Sequence, residues 1–216
     1  MKSDIVIERW VVGAACGVCM LLMNGVSAVP VVGGSVGLLT PDTLIDFGTT
    51  PPSPTSPITT QFAPLTFSSS FLLGWSTSGS TTLDNVTGGL LAQFGFSSFP
   101  PAFTMDFGQA VVDALFNFRA ANGSRWLMES LSGASVIESM TFAGFNTDGP
   151  VSSNFYGFIG SSFNAVRLTL QSGNQGLNLD NVQFNIPEPT TLLLLGLGLV
   201  GLGAARRRNL PAGRAP

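Results

Sequence analysis

Between residues 29 and 186 the chain has no cysteine, no histidine and no lysine: Cys16, Cys19 and Lys2 all precede that stretch, and histidine is absent throughout. Without histidine or cysteine there is no Ser-His or Cys-His nucleophile pair and no His/Cys zinc site, and without lysine there is no Schiff base or P-loop cation. Positive charge is also scarce. Arg119, Arg125 and Arg167 face nine carboxylates, which leaves a net charge of −6 over 29–186. An acidic, sparsely charged surface excludes a nucleic-acid partner, which needs clustered cations to displace counterions from phosphates. Carboxylates, hydroxyls, amides and aromatics carry whatever chemistry remains. No D-x-D-x-D-G calcium loop and no internal repeat of solenoid or propeller period is present.

The two ends are hydrophobic. Lys2 and Arg9 precede an apolar run over 10–23, and Val26-Ser27-Ala28 supplies small residues of the kind a signal peptidase accepts. The pattern predicts a signal peptide over 1–28, helical in its apolar part, with cleavage after Ala28. Asp4 and Glu8 weaken the positive start, so a retained anchor is the competing reading, although the apolar run is short for a spanning helix. Cys16-Gly17-Val18-Cys19 has redox or half-zinc spacing but sits in the centre of this run with no second pair.

At the other end, Pro187-Glu188-Pro189 is followed by an uncharged, mostly apolar stretch over 190–205 and then by Arg206-Arg207-Arg208. The stretch predicts one transmembrane helix, roughly 24 Å long at about 1.5 Å per residue, which arginine snorkelling fits to a bilayer. The arginines place its far end in the cytoplasm and so place 29–186 outside. Pro-Glu-Pro, short Leu/Gly-rich helix and arginine cluster, in that order at the C-terminus, resemble the PEP-CTERM sorting signal of Gram-negative bacteria. The resemblance implies a segment 187–216, with helix 190–205 and basic tail 206–216, processed by a membrane-embedded exosortase. A plain tail anchor of a periplasmic protein shares the topology.

Between these ends the hydrophobic pattern has period two and is cut by Gly, Pro, Asn and Ser clusters, which predicts an all-β domain over 29–186. Strands are expected at 43–47, 103–107, 111–118, 136–142, 165–171 and 177–185, with weaker ones at 65–67, 71–75, 90–94, 126–130 and 155–159. Their number and spacing suit a two-sheet, jelly-roll-like sandwich. In 165–171 Arg167, Thr169 and Gln171 alternate with apolar residues, the mark of a sheet wet on one side. In the last strand Leu177 and Leu179 share one face and Val182 and Phe184 the other, so a bulge is expected at Asp180-Asn181.

The arrangement of these strands resembles exported jelly-roll domains similar in fold to carbohydrate-binding modules. That likeness implies a structural calcium tying the terminal strands, with Asp46, Asp180 and Asn181 as its oxygen donors. Acids that cap turns or face water are the simpler account of the same residues. For a sugar, Trp75, Trp126 and Tyr156, the last beside Asn154, are the candidate platforms, with core packing as the alternative. Asp106, Asp113, Glu129 and Glu138 lie near strands and supply the carboxylates of a glycan hydrolase, the runner-up function. The leading expectation is a non-enzymatic surface or matrix protein, exported across the inner membrane, with the membrane, an exosortase-type enzyme and extracellular polysaccharide as partners and no catalytic cofactor.

Overall fold

The structure is a computed structural model and describes residues 27–48, 51–53, 56–76, 90–94, 100–144, 155–173, 176–188, 196, 198–200 and 202. The signal segment before residue 27, Asn154, Pro189 and Arg206, Arg207 and Arg208 lie outside the described residues.

The described strands are β1 (Val29–Gly34), β2 (Thr43–Ile45), β3 (Thr66–Ser69), β4 (Leu72–Ser76), β5 (Leu90–Phe94) and β6 (Ala102–Val111), then β7 (Asp113–Ala120), β8 (Arg125–Ser132), β9 (Ser135–Ala143), β10 (Phe155–Ile159), β11 (Phe163–Ser172) and β12 (Leu177–Asn185). They form two antiparallel sheets. One has seven strands in the order β1-β10-β7-β12-β5-β4, with β2 also on β12, and the other has five in the order β3-β6-β11-β8-β9. The sheets bury their facing sides together as an all-β sandwich. Phe103, Met105, Phe107, Trp126, Met128, Val166, Leu168 and Leu170 of the five-stranded sheet meet Phe116, Phe118, Phe158, Val182 and Phe184 of the other, all fully or almost fully buried. Each such side chain contributes about 1.5–3 kcal/mol of transfer free energy, which lets a domain without disulfides hold together.

The sequence pattern and the structure part company at two strands. The expected strand 111–118 is broken at Val112, where the chain leaves β6 in one sheet and enters β7 in the other. Its apolar continuity comes from β7 being buried on both faces, so alternation gave no sign of the turn. The strand β1 was not expected, because Pro30 and two glycines interrupt its pattern; it is an edge strand, where a proline costs no central ladder bond. The bulge expected in the last strand is present, with a register shift between Asp180 and Gln183 and with Asn181 in the left-handed region at φ 48°. Gly196, 198–200 and Leu202 are helical, and among the described residues no helix is long and apolar enough to cross a membrane.

One row of residues positions the termini. Pro30 pairs with Phe158, Phe158 with Ala114, and Ala114 with Phe184. The start of β1 and the end of β12 therefore lie at the same end of the seven-stranded sheet, about 14 Å apart across three strand spacings.

Candidate functional site

The strand β12 has β7 along one edge, but its other edge is shared. The strand β5 pairs at Asn178 and Leu179, and β2 pairs from Val182 to Phe184. Asp180 and Asn181 fall in the gap between these two partners. Because Ile45 pairs with Val182, Asp46 follows β2 into the same gap. By register Asp180 stands opposite Asn117 of β7, on the sheet's outer side. The fold thus brings Asp46, Asp180 and Asn181 to one gap and adds Asn117. No local signal announces Asn117, since only the long-range pairing of β7 with β12 places it there.

Both acids are followed by a non-glycine residue in the left-handed region, Phe47 at φ 53° and Asn181 at φ 48°. Such backbone costs more for phenylalanine than for asparagine. Phe47 is held there by burial of its ring, in edge contact with Phe62 at 4.8 Å, and by its carbonyl, which accepts the Trp75 Nε1–H at 2.9 Å.

Asp180 is fully buried, and neither carboxylate oxygen has a hydrogen-bond partner. Burial pushes its pKa up to about 8, the neighbouring Asn181 amide pulls in the opposite direction, and the negative charge of Asp46 raises it further. Asp46 itself accepts the Gly48 N–H on Oδ1 at 3.0 Å. A buried carboxylate without a well-formed hydrogen bond, beside the exposed carboxylate of Asp46, is an oxygen-rich position short of positive charge. Its donors are carboxylates and amides, the hard oxygen ligands of calcium or magnesium. Among the described residues no group of three or more His, Cys, Asp or Glu is placed to hold a metal, so a cation here would have only two carboxylates and would need its other oxygens from amides, carbonyls or water.

Two of the three aromatic platforms, Trp126 and Tyr156, are corrected by the structure. Trp126 is completely buried, its ring 5.4 Å from Phe118 and its Nε1–H donated to Ser124 Oγ at 3.0 Å. Tyr156 is buried against Phe118 and Phe142, and burial raises its hydroxyl pKa above the ordinary phenol value. Neither ring is open to a ligand from the surface. Trp75 is half-buried, and its indole N–H is committed to the Phe47 carbonyl.

The polar surface lies on the outer face of the five-stranded sheet. Register sets Ser68, Thr104, Arg167, Glu129 and Ser139 in one row across β3, β6, β11, β8 and β9. Arg167 Nε donates to Glu129 Oε2 at 2.8 Å, with the arginine side chain 41% exposed. The other acids of a would-be hydrolase serve turns and strand ends. Asp106 accepts the Gly108 N–H, Asp113 accepts from Gly160 N and Asn185 Nδ2, and Glu138 accepts from Ser27 Oγ and from the Ser139 N–H, which lowers its pKa.

The end of β12 is fastened on both sides. Gln183 Oε1 accepts the Leu38 N–H at 2.7 Å, Asn185 Oδ1 accepts the Asp42 N–H at 3.0 Å, and Asp42 Oδ2 accepts the Ile186 N–H at 2.8 Å. Pro187 and Glu188 follow at once, with Glu188 exposed. At the start of the domain Ala28, the residue before the expected cleavage, is 3% exposed and belongs to the core.

The chain carries a PEP-CTERM protein-sorting motif over residues 185–208, which begins on the last residue of β12. Among solved structures it is similar to the lectin domain of lectinolysin complexed with Lewis B antigen, at 15% identity and TM-score 0.34, over 45% of this chain and 71% of that one. It is also similar to a Streptococcus pneumoniae fucose binding module, SpX-3, at 12% identity and TM-score 0.35, over 46% of this chain and 73% of that one. A third is the family 32 CBM from C. perfringens NanJ in complex with galactose, at 12% identity and TM-score 0.34, over 53% and 92% of the two chains. No curated protein matches. No ligand or site is carried across from these structures.

Proposed function

We propose that this is an exported, non-enzymatic surface or matrix protein of a Gram-negative envelope, delivered by its C-terminal signal and processed by an exosortase-type enzyme. The observation that carries the reading is the sorting motif, which runs straight on from the final strand of a folded β-sandwich. The 190–205 segment spans the inner membrane before processing, with Arg206, Arg207 and Arg208 inside. The signal segment is removed after Ala28, which leaves Val29 at the head of β1.

The sandwich serves as a structural or polysaccharide-contacting module. Its contact surface is the hydroxyl and charge row from Ser68 to Ser139, which engages sugar hydroxyls by hydrogen bonds. A divalent cation, calcium by preference, sits between Asp46 and Asp180 with Asn181 beside them, where it supplies the charge this buried position lacks and ties β2 to β12.

Replacing Pro187, Glu188 and Pro189 by alanine tests the central part. In the native host the variant is expected to keep its tail by intact mass and to accumulate in the inner membrane. Unchanged processing and location would leave only a plain tail anchor. For the sandwich, binding to envelope polysaccharides that is lost in Arg167→Ala supports contact through the row, and turnover of those polysaccharides would sink the non-enzymatic reading.

A further inference from the structure

The seven-stranded sheet places the first residue of β1 and the last of β12 at one end, so the chain that follows Glu188 toward the hydrophobic stretch 190–205 departs from that end. No spacer intervenes on the C-terminal side, because the Ile186 N–H is still held by Asp42 and the apolar stretch begins four residues later. That end also carries exposed aliphatic side chains. Val29 is 55% exposed, Leu44 is 55% and Ile186 is 40%, while Leu39, on the loop bound to Gln183 and Asn185, is 94% exposed. Singly scattered exposed aliphatics are ordinary, but these four lie toward the end from which the hydrophobic tail departs, where an apolar neighbour would cover them. Of the carboxylates there, exposed Asp42 accepts the Ile186 N–H and half-buried Asp113 holds Gly160 and Asn185, so both are engaged by the chain, while exposed Glu188 would stand at the headgroup level where the tail begins.

We infer that this end of the sandwich rests on the lipid bilayer, with Leu39, Leu44, Val29 and Ile186 seated among the headgroups at the foot of the tail. The inference rests on the membrane reading proposed above, and chain continuity selects the occupant. A tail that enters the bilayer four residues after a clamped strand leaves this rim no distance from the membrane, whereas a protein partner would have to reach beneath the domain. The contact is driven by apolar burial of the kind that seats interfacial helices about 5–10 Å into the headgroup boundary. It therefore needs no anionic lipid, and salt leaves it unchanged.

The test uses the full chain, with Cys16 and Cys19 changed to serine, reconstituted in phosphatidylcholine vesicles that contain a nitroxide-headgroup lipid. A fluorophore is attached at Leu39→Cys or, as a far-end control, at Leu72→Cys, where β4 pairs with Phe94 and the side chain is 46% exposed. The Leu39 probe is expected to be blue-shifted and quenched several-fold more than the Leu72 probe, in low and high salt alike. Equal quenching of the two in vesicles that carry the protein on flotation would overturn the proposal and leave the rim to a protein partner. Failure of the chain to float at all would contradict the membrane reading itself, so the two failures are told apart. A Leu39→Asp, Leu44→Asp variant labelled at Val36→Cys, a neighbouring exposed position, is expected to float normally but to lose the quenching shown by the Val36 probe without those changes.

Discussion

Two pairs of charged residues in this sandwich receive opposite treatment. On the outer face of the five-stranded sheet, Arg167 and Glu129 meet at 2.8 Å as opposite charges with the arginine well exposed. At the strand switch of the seven-stranded sheet two acids share one gap: exposed Asp46 and buried Asp180, whose pKa is pushed up to about 8 and whose oxygens have no hydrogen-bond partner. The first pair is complete within the chain and gains modestly, because its arginine end is open to water and its side chains lose entropy, although Glu129 is itself buried. The second is incomplete. Its deficit is one of positive charge beside Asp180, the buried member, where low solvent access makes an ionised carboxylate costly. The contrast separates a surface that the chain has finished from a position that it has not, the one where a cation is proposed above.

The largest effect expected from this contrast is a pH dependence of the cation-free protein. The folded pKa of Asp180 lies near 8 and the ordinary carboxylate value is 3.8, so the folded chain retains a proton that the unfolded chain gives up. Stability is therefore full below about pH 4, falls as pH rises from about 4 to 8, and levels off above. The fall is at most about 1.4 kcal/mol per pH unit for one proton. Denaturant unfolding in chelator across pH 4–9 checks this, and a flat profile would refute it.

Next in size is the effect of the cation. Calcium at about a hundred times its dissociation constant stabilises a single site by about 2.7 kcal/mol, and it should do so most at pH 8, where metal-free Asp180 is least content. In the same chelator experiment Asp180→Asn, which keeps the shape and removes the charge, should flatten the pH profile and exceed the wild-type stability at pH 8. Calcium should then have no effect on its melting temperature. The smallest effect belongs to the finished pair. A double-mutant cycle on Arg167 and Glu129 is expected to give a coupling of about 0.2–1 kcal/mol that shrinks in salt. A larger, salt-insensitive coupling would erase the distinction between the two sites.

Much of the sandwich was legible because β11 and β12 obey simple rules. Arg167, Thr169 and Gln171 alternate with Val166, Leu168 and Leu170, which gave both the strand and its wet face. The change of phase from Leu179 to Val182 gave the bulge. What stayed hidden was long-range. The two faces of β7 are both covered, so its sequence showed no period and its turn from β6 went unseen. Trp126 was readable in principle, since the charged Arg125 and Glu129 flank it on the opposite parity and put its ring on the inner side. Tyr156 lies in a strand buried on both faces, where alternation says nothing about direction. Asp46 and Asp180 were named from a resemblance, but their shared gap and the presence of Asn117 depend on β12 exchanging β5 for β2, which no local pattern encodes.

The most direct test of the account is calorimetric titration of calcium into the chelator-treated chain at pH 7 in buffers of different ionisation enthalpy. One site is expected, bound with release of close to one proton from Asp180 and abolished in Asp180→Asn. Binding without proton release, equal binding by Asp180→Asn, or no binding heat at all would contradict it.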